Sequence, residues 1–192
     1  MKTQTIDPQD CIVLFADLQQ GIIELSRTVP LEQLRRGVRG LAKLAKIFGL
    51  PVIVSAVAGE DGQPAVITPE IEEGYGKYSI HHRTTANSLL NEEILAYIKS
   101  SGRHTILISG VATELAVQLP ATTSAEQGYR AIVVVDACGG ISERTEQAAL
   151  ARVVQAGATT TCVMTLAGEL AGDFRQPTAQ AAIGVVFEMA AG

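Results

Sequence analysis

Apolar runs rich in β-branched residues alternate along this chain with segments of helical period. Cys11 to Phe15, Val52 to Val57, Thr105 to Ser109, Ala131 to Val135 and Thr160 to Met164 have strand length and nearly continuous hydrophobicity. Between them, Leu31 to Phe48, Glu92 to Ser101, a segment from about Thr113, and Glu143 to Ala156 carry apolar residues at helical spacing. Strands that are apolar on both faces, separated by helices, require a parallel sheet covered on both sides. The expected fold class is therefore α/β: a three-layer α/β/α sandwich around a mostly parallel, Rossmann-like sheet of about six strands.

Local punctuation sharpens these boundaries. Phe48-Gly49-Leu50-Pro51, Ser101-Gly102 and Ala156-Gly157 each place glycine where a helix needs a left-handed residue to stop. Asn91 and Ser142, each followed by Glu, are expected N-caps. Residues 59–78 are rich in Gly, Glu and Pro with weak periodicity, which predicts an excursion over the surface near the mouth of a site. The apolar segment Ala179 to Ala190 is expected to be a helix packed either on its own sheet or on a neighbouring subunit. No linker interrupts the pattern, and 192 residues with 47% hydrophobic content suit one domain spanning 1–192.

Composition narrows the partners. A charged fraction of 18% is low for a freely solvated monomer and points to a homo-oligomer. The net charge of -5, with no basic run longer than Arg35-Arg36, leaves no electrostatic footprint for nucleic acid or an anionic membrane. Apolar runs fall far short of the roughly 18 residues of a membrane span. Met1-Lys2-Thr3 is followed by polar sequence, so a cytoplasmic location is expected. Cys11, Cys138 and Cys162 are widely spaced, lie in or beside predicted strands, and should be reduced, buried side chains. His81, His82 and His104 form no metal-binding spacing, so neither a metal site nor a cofactor is expected.

Ligands of parallel α/β sheets bind beyond the carboxyl ends of the strands. The run Val13-Leu14-Phe15-Ala16-Asp17 delivers a carboxylate to such an end, where it either caps the next turn or, being costly there unless paired, marks a site. His82-Arg83-Thr84-Thr85-Ala86-Asn87-Ser88-Leu89 reads by itself as a polar loop with a surface cation. A third segment, ending its strand at Gly110 and starting a helix at about Thr113, offers free N–H groups to an anion. That is an oxyanion hole in outline.

This third segment, Ser109-Gly110-Val111-Ala112-Thr113-Glu114-Leu115-Ala116-Val117, resembles the Gly-x-x-Thr-x-x-Cys-Val motif of the isochorismatase-like cysteine hydrolases. Every element is present except the cysteine, whose position holds Ala116. The resemblance extends over nearly the whole chain. Glu126-Gln127-Gly128-Tyr129, Asp136-Ala137-Cys138-Gly139-Gly140 and the Pro120 after the motif suit the YcaC-like branch of that family. It implies that Asp17, in its Asp-x-Gln context, is the general base, with Gln19 as a polar neighbour. Arg83, four residues before Asn87-Ser88-Leu89, takes the place of the family's lysine, and Lys77 is the alternative cation. A guanidinium stays protonated, so Arg83 would orient and stabilise charge without shuttling protons. The resemblance further implies a cis peptide at Val111–Ala112, oxyanion donors at the Ala112 and Ala116 amides, Asn87 and Thr113 in the substrate pocket, and a tetramer or octamer. The metal-binding Asp-x-His of nicotinamidases is absent.

The activity so implied is hydrolysis of a C–N bond in a small amide or related carbonyl compound by a Cys-Asp-Arg site. A methyl group cannot replace a thiolate in covalent catalysis, so the chain as written is expected to be inactive or nearly so. Ala116 then reflects an engineered Cys to Ala change, or a natural loss that leaves an oligomeric binding or structural protein. A third account is the cysteine-independent vinyl-ether hydrolysis of true isochorismatases. Against it, Ala112-Thr113-Glu114-Leu115 departs from their Gly-Val-Tyr-Ala-His turn.

Overall fold

The computed structural model describes residues 6–58 and 62–191. Six strands, β1 (Cys11–Ala16), β2 (Val52–Val57), β3 (Ile80–Arg83), β4 (Thr105–Val111), β5 (Arg130–Gly139) and β6 (Thr159–Thr161), form one parallel sheet in the order β3-β2-β1-β4-β5-β6. The helices are α1 (Leu31–Phe48), α2 (Pro69–Tyr75), α3 (Glu92–Ser101), α4 (Gln118–Glu126), α5 (Glu143–Gln155), α6 (Val163–Ala171) and α7 (Pro177–Ala190). The central strand explains the layering. All six residues of β1 are buried, and their alternation sends Val13 and Phe15 into a core shared with α1, α2, α6 and α7. Ile12, Leu14 and Ala16 enter a second core shared with α3, α4 and α5. The expected α/β/α sandwich is thus the observed one.

Caps act as the side chains require. Asn91 Oδ1 accepts the Ile94 N–H at 3.0 Å and Ser142 Oγ accepts that of Thr145 at 3.2 Å, starting α3 and α5. Gly49 and Gly102 take φ of 63° and 66° just past α1 and α3, a conformation costly for a residue with a Cβ.

Four expectations need correction. The segment around His82-Arg83 is not a loop: Ile80–Arg83 pairs with Val54 to Val57 as the edge strand β3, stabilised by its partner rather than by apolar content. The excursion, of which residues 59–61 lie outside the described residues, contains α2, whose Ile71 is fully buried against α1. Gly74 lets α2 approach so closely that a Cβ there would stand 2.8 Å from Arg39 O. The last strand stops at Thr161, and Cys162 is the half-buried N-cap of α6 rather than a core residue. The helix expected from Thr113 opens as a single wider, π-type turn over Thr113–Val117 before α4. The C-terminal helix α7 packs in the core of its own chain through Ala182 and Val185, while Phe187 is exposed.

Candidate active site

The strand order reverses direction between β1 and β4, the position at which open parallel sheets leave a crevice beyond their carboxyl ends. The register pairs Ala16 with Gly110, so Asp17 and the turn from Val111 begin side by side at that crevice. Close approach there depends on Gly110: a Cβ on it would lie 2.3 Å from Ala16 O.

Asp17 directly follows β1 with φ of 55°, the only non-glycine positive φ among the described residues. Aspartate tolerates this left-handed conformation better than most residues. Its N–H donates to Ser55 O at 2.9 Å. Its side chain is buried, and Oδ2 accepts a hydrogen bond from Arg83 Nη2. Oδ1 is buried too, yet has no hydrogen-bond partner. Burial pushes the Asp17 carboxyl above its ordinary value, and the charge and hydrogen bond of Arg83 act in the opposite direction.

Arg83, at the end of β3, is 4% exposed, so its charge has left water and must be fully partnered. Nη2 meets Asp17, Nη1 donates to Thr85 O, and Nε donates to Ser55 Oγ at 3.0 Å. Ser88 Oγ donates to the same serine at 3.2 Å. Lys77, the alternative cation, is exposed in the loop before β3. Ser55, Thr85 and Ser88 were not singled out by the sequence. The available signal was a lone hydroxyl in the run Val-Ile-Val-Ser-Ala-Val, since a buried polar atom needs a partner.

The other expected pocket residues are turned to their own protein. Gln19 donates to Val57 O at 3.0 Å and accepts from Val57 N at 3.1 Å, so its amide ties the segment after β1 to the end of β2. Asn87 accepts from Leu89 N at 3.0 Å and donates to Thr123 Oγ1 at 2.9 Å, linking the loop after β3 to α4. Thr113 is fully buried and donates to Glu146 Oε1 at 2.7 Å. Through these bonds the three residues brace the segments around the site.

The peptide bond Val111–Ala112 is cis. Ala116 lies within the Thr113–Val117 turn and is 1% exposed, its methyl belonging to the apolar cluster that includes Ala16, Val117 and Cys138. Its N–H, expected as a free oxyanion donor, donates to Ala112 O at 2.9 Å. Neighbouring Glu114 fixes the turn from outside, Oε1 accepting from Ile141 N at 2.9 Å and from Thr145 Oγ1 at 2.6 Å. The excursion returns across this region: Gln20 N donates to Val66 O and Thr68 N to Leu18 O, directly after Asp17.

The Isochorismatase domain profile matches residues 11–165, from the first strand to the start of α6. The chain belongs to the isochorismatase family. Within that family it is similar to the probable hydrolase YcaC of Escherichia coli, with 33% identity over 171 residues covering 88% of this chain and 82% of that protein. Among solved structures, YcaC from Pseudomonas aeruginosa, bound to hexane-2,5-diol and covalent acrylamide, superposes with a TM-score of 0.89 at 30% identity over 99% of this chain and 96% of that one. The E. coli YcaC gene product, described as an octameric hydrolase of unknown specificity, gives 0.88 at 31% identity over 98% and 92%. The isochorismatase-family, YcaC-like character read from the motif is thereby shown. Among the described residues no helix is long and apolar enough to cross a membrane.

Proposed function

We propose that this chain carries the site of a hydrolase for small amides or related C–N compounds, with Asp17 as base, Arg83 as fixed cation and position 116 as the place of the nucleophile. The observation that carries this reading is the buried carboxylate whose Oδ2 is held by Arg83 while Oδ1 has no donor. Satisfying a buried carboxylate oxygen requires an N–H, O–H or S–H, and a thiol on residue 116 is the donor this reading supplies. In a chain with that thiol, Asp17 accepts the proton, the sulfur attacks the carbonyl carbon, and Asp17 returns the proton to the departing amine. Water then releases the acyl group. The oxyanion falls to the Ala112 and Ala116 amides, the latter sharing its proton with Ala112 O in a three-centre bond. As it stands, Ala116 leaves the covalent route without its attacking atom, and activity is accordingly negligible. The covalent acrylamide in the P. aeruginosa relative shows that a small amide can become bound to that protein, which supports small amides as the ligand class here.

The test is Ala116→Cys, followed by ammonia release from a panel of small amides and by mass change on exposure to acrylamide. Hydrolysis or labelling at residue 116 in the variant, absent from the parent and lost again with Asp17→Asn, is expected. A folded Ala116→Cys protein that neither reacts with acrylamide nor turns over any amide refutes the reading. The second reading is a binding or structural homo-oligomer. The burial of the Ala116 methyl in an apolar cluster and the octamer of E. coli YcaC favour it. A folded, oligomeric Ala116→Cys protein that binds small amides yet shows neither labelling nor turnover distinguishes it.

A further inference from the structure

The Asp17–Arg83 pair is formed by residues 66 positions apart, on strands that are not neighbours: β2 lies between β1 and β3. The residue of β2 at this level is Ser55, paired in register with Ala16 on one side and His81 on the other. It is fully buried in a strand otherwise built from Val, Ile and Ala, where an apolar side chain would pack at no polar cost. Both of its polar ends touch the pair. Its carbonyl accepts the Asp17 N–H at 2.9 Å, and its Oγ accepts the Arg83 Nε–H at 3.0 Å. Ser88, also fully buried, donates to the same Oγ at 3.2 Å, so this hydroxyl is itself held in place.

We propose that Ser55 is the positioning residue of this site, holding Asp17 through its main chain and the Arg83 guanidinium through its side chain so that the two charges meet in one geometry. The proposal rests on the hydrolase reading for its catalytic meaning, but the placement of the pair can be tested without any substrate. A guanidinium bonded at Nε cannot swing about its long side chain, which leaves Nη2 fixed on Asp17 Oδ2. With Ser55 Oγ removed, Arg83 keeps Thr85 O and Asp17 as partners but loses the contact that sets the plane of the fork.

The experiment compares Ser55→Ala and Ser55→Cys with the parent. Cysteine fills the position at least as fully as serine while providing only a weak acceptor, so a role in filling space predicts that it stays closer to the parent than alanine does, whereas a positioning role predicts that it behaves like alanine. The first readout is the titration of the Asp17 side-chain carboxyl by NMR on 13C-aspartate-labelled full chain, assigned by loss of the signal in Asp17→Asn. The expected result is an upward shift of the midpoint in both variants by about half a pH unit, equivalent to about threefold in the protonation equilibrium. A Ser55→Cys midpoint equal to the parent's overturns the proposal. The second readout is the rate of alkylation by iodoacetamide at residue 116 in the Ala116→Cys background, with and without the Ser55 changes. It should slow about threefold with either change and respond to Asp17→Asn as well. Should alkylation ignore Asp17→Asn while the NMR shift is present, the hydrolase reading falls and Ser55 remains the residue that positions the pair.

Discussion

Replacing Arg83 by methionine tests the electrostatic account of the site most directly. The change keeps a long side chain of similar reach but removes the cation, leaving the Asp17 carboxylate 8% exposed with neither oxygen paired. Breaking a buried ion pair on one side costs about 3–5 kcal/mol, a large part of the 5–15 kcal/mol that holds a typical domain together. With a urea slope near 2 kcal/mol per M, the unfolding midpoint should fall by about 2 M. The deficit must also depend on pH in a defined direction. Burial already raises the Asp17 carboxyl above its unfolded value, so between those two values the native state binds more protons than the unfolded state and stability falls as pH rises. The associated stabilisation is fully present below the unfolded pKa and lost as pH passes through the folded one. Removing Arg83 takes away the influence that lowers the folded value and widens this window upward. Acidifying the variant within it should recover stability by up to about 1.4 kcal/mol per pH unit. Adding Asp17→Asn should restore most of the loss, because two neutral side chains replace a lone charge. A deficit under about 1 kcal/mol, or one that is the same at every pH, would show that Asp17 is not a buried charge held by Arg83.

Gly110→Ala should lower the melting temperature by at least about 4 °C, since a Cβ 2.3 Å from Ala16 O forces β1 and β4 apart; unchanged melting would contradict the close strand approach. Asn91→Ala removes the Ile94 cap and the bond from Nδ2 to His82 O at 3.1 Å, and should cost about 1 kcal/mol in urea unfolding, with Asn91→Ser recovering much of it. In native protein treated with iodoacetamide near neutral pH, peptide mass analysis should find half-buried Cys162 modified first. Cys11, its thiol pushed by burial to about 12, and the fully buried Cys138 should stay unmodified until unfolding, and early labelling of Cys11 would argue against its place in β1.

Legibility in the sequence followed burial. β1, β2 and β4 announce themselves because a strand covered on both faces must be apolar throughout, and Asp17 stands out as the charge that ends such a run. β3 was hidden, because an edge strand of Ile-His-His-Arg takes its conformation from hydrogen bonds to β2 that no local pattern reveals. The turn before Ala116 was visible through its spacing, but the engagement of the Ala116 N–H with Ala112 O belongs to three-dimensional geometry. Gln19, Asn87 and Thr113 illustrate the same limit: residue type identifies a polar group near a site, while only coordinates tell which groups of its own protein it engages. Ser55 is the converse, a residue whose plain chemistry concealed two contacts to the charges that matter.

The division of the sheet at its reversal point has an evolutionary consequence. Asp17, Ser55 and Arg83 all come from the β1-β2-β3 half of the chain, whereas residue 116 arrives with β4 on the other side. The hydrogen bonds that hold the Asp17–Arg83 pair, to Ser55 and to Thr85 O, therefore all come from that half and none from the turn that carries residue 116. On the hydrolase reading proposed above, a lineage could exchange alanine and cysteine at position 116 while leaving those hydrogen bonds of the charged pair in place.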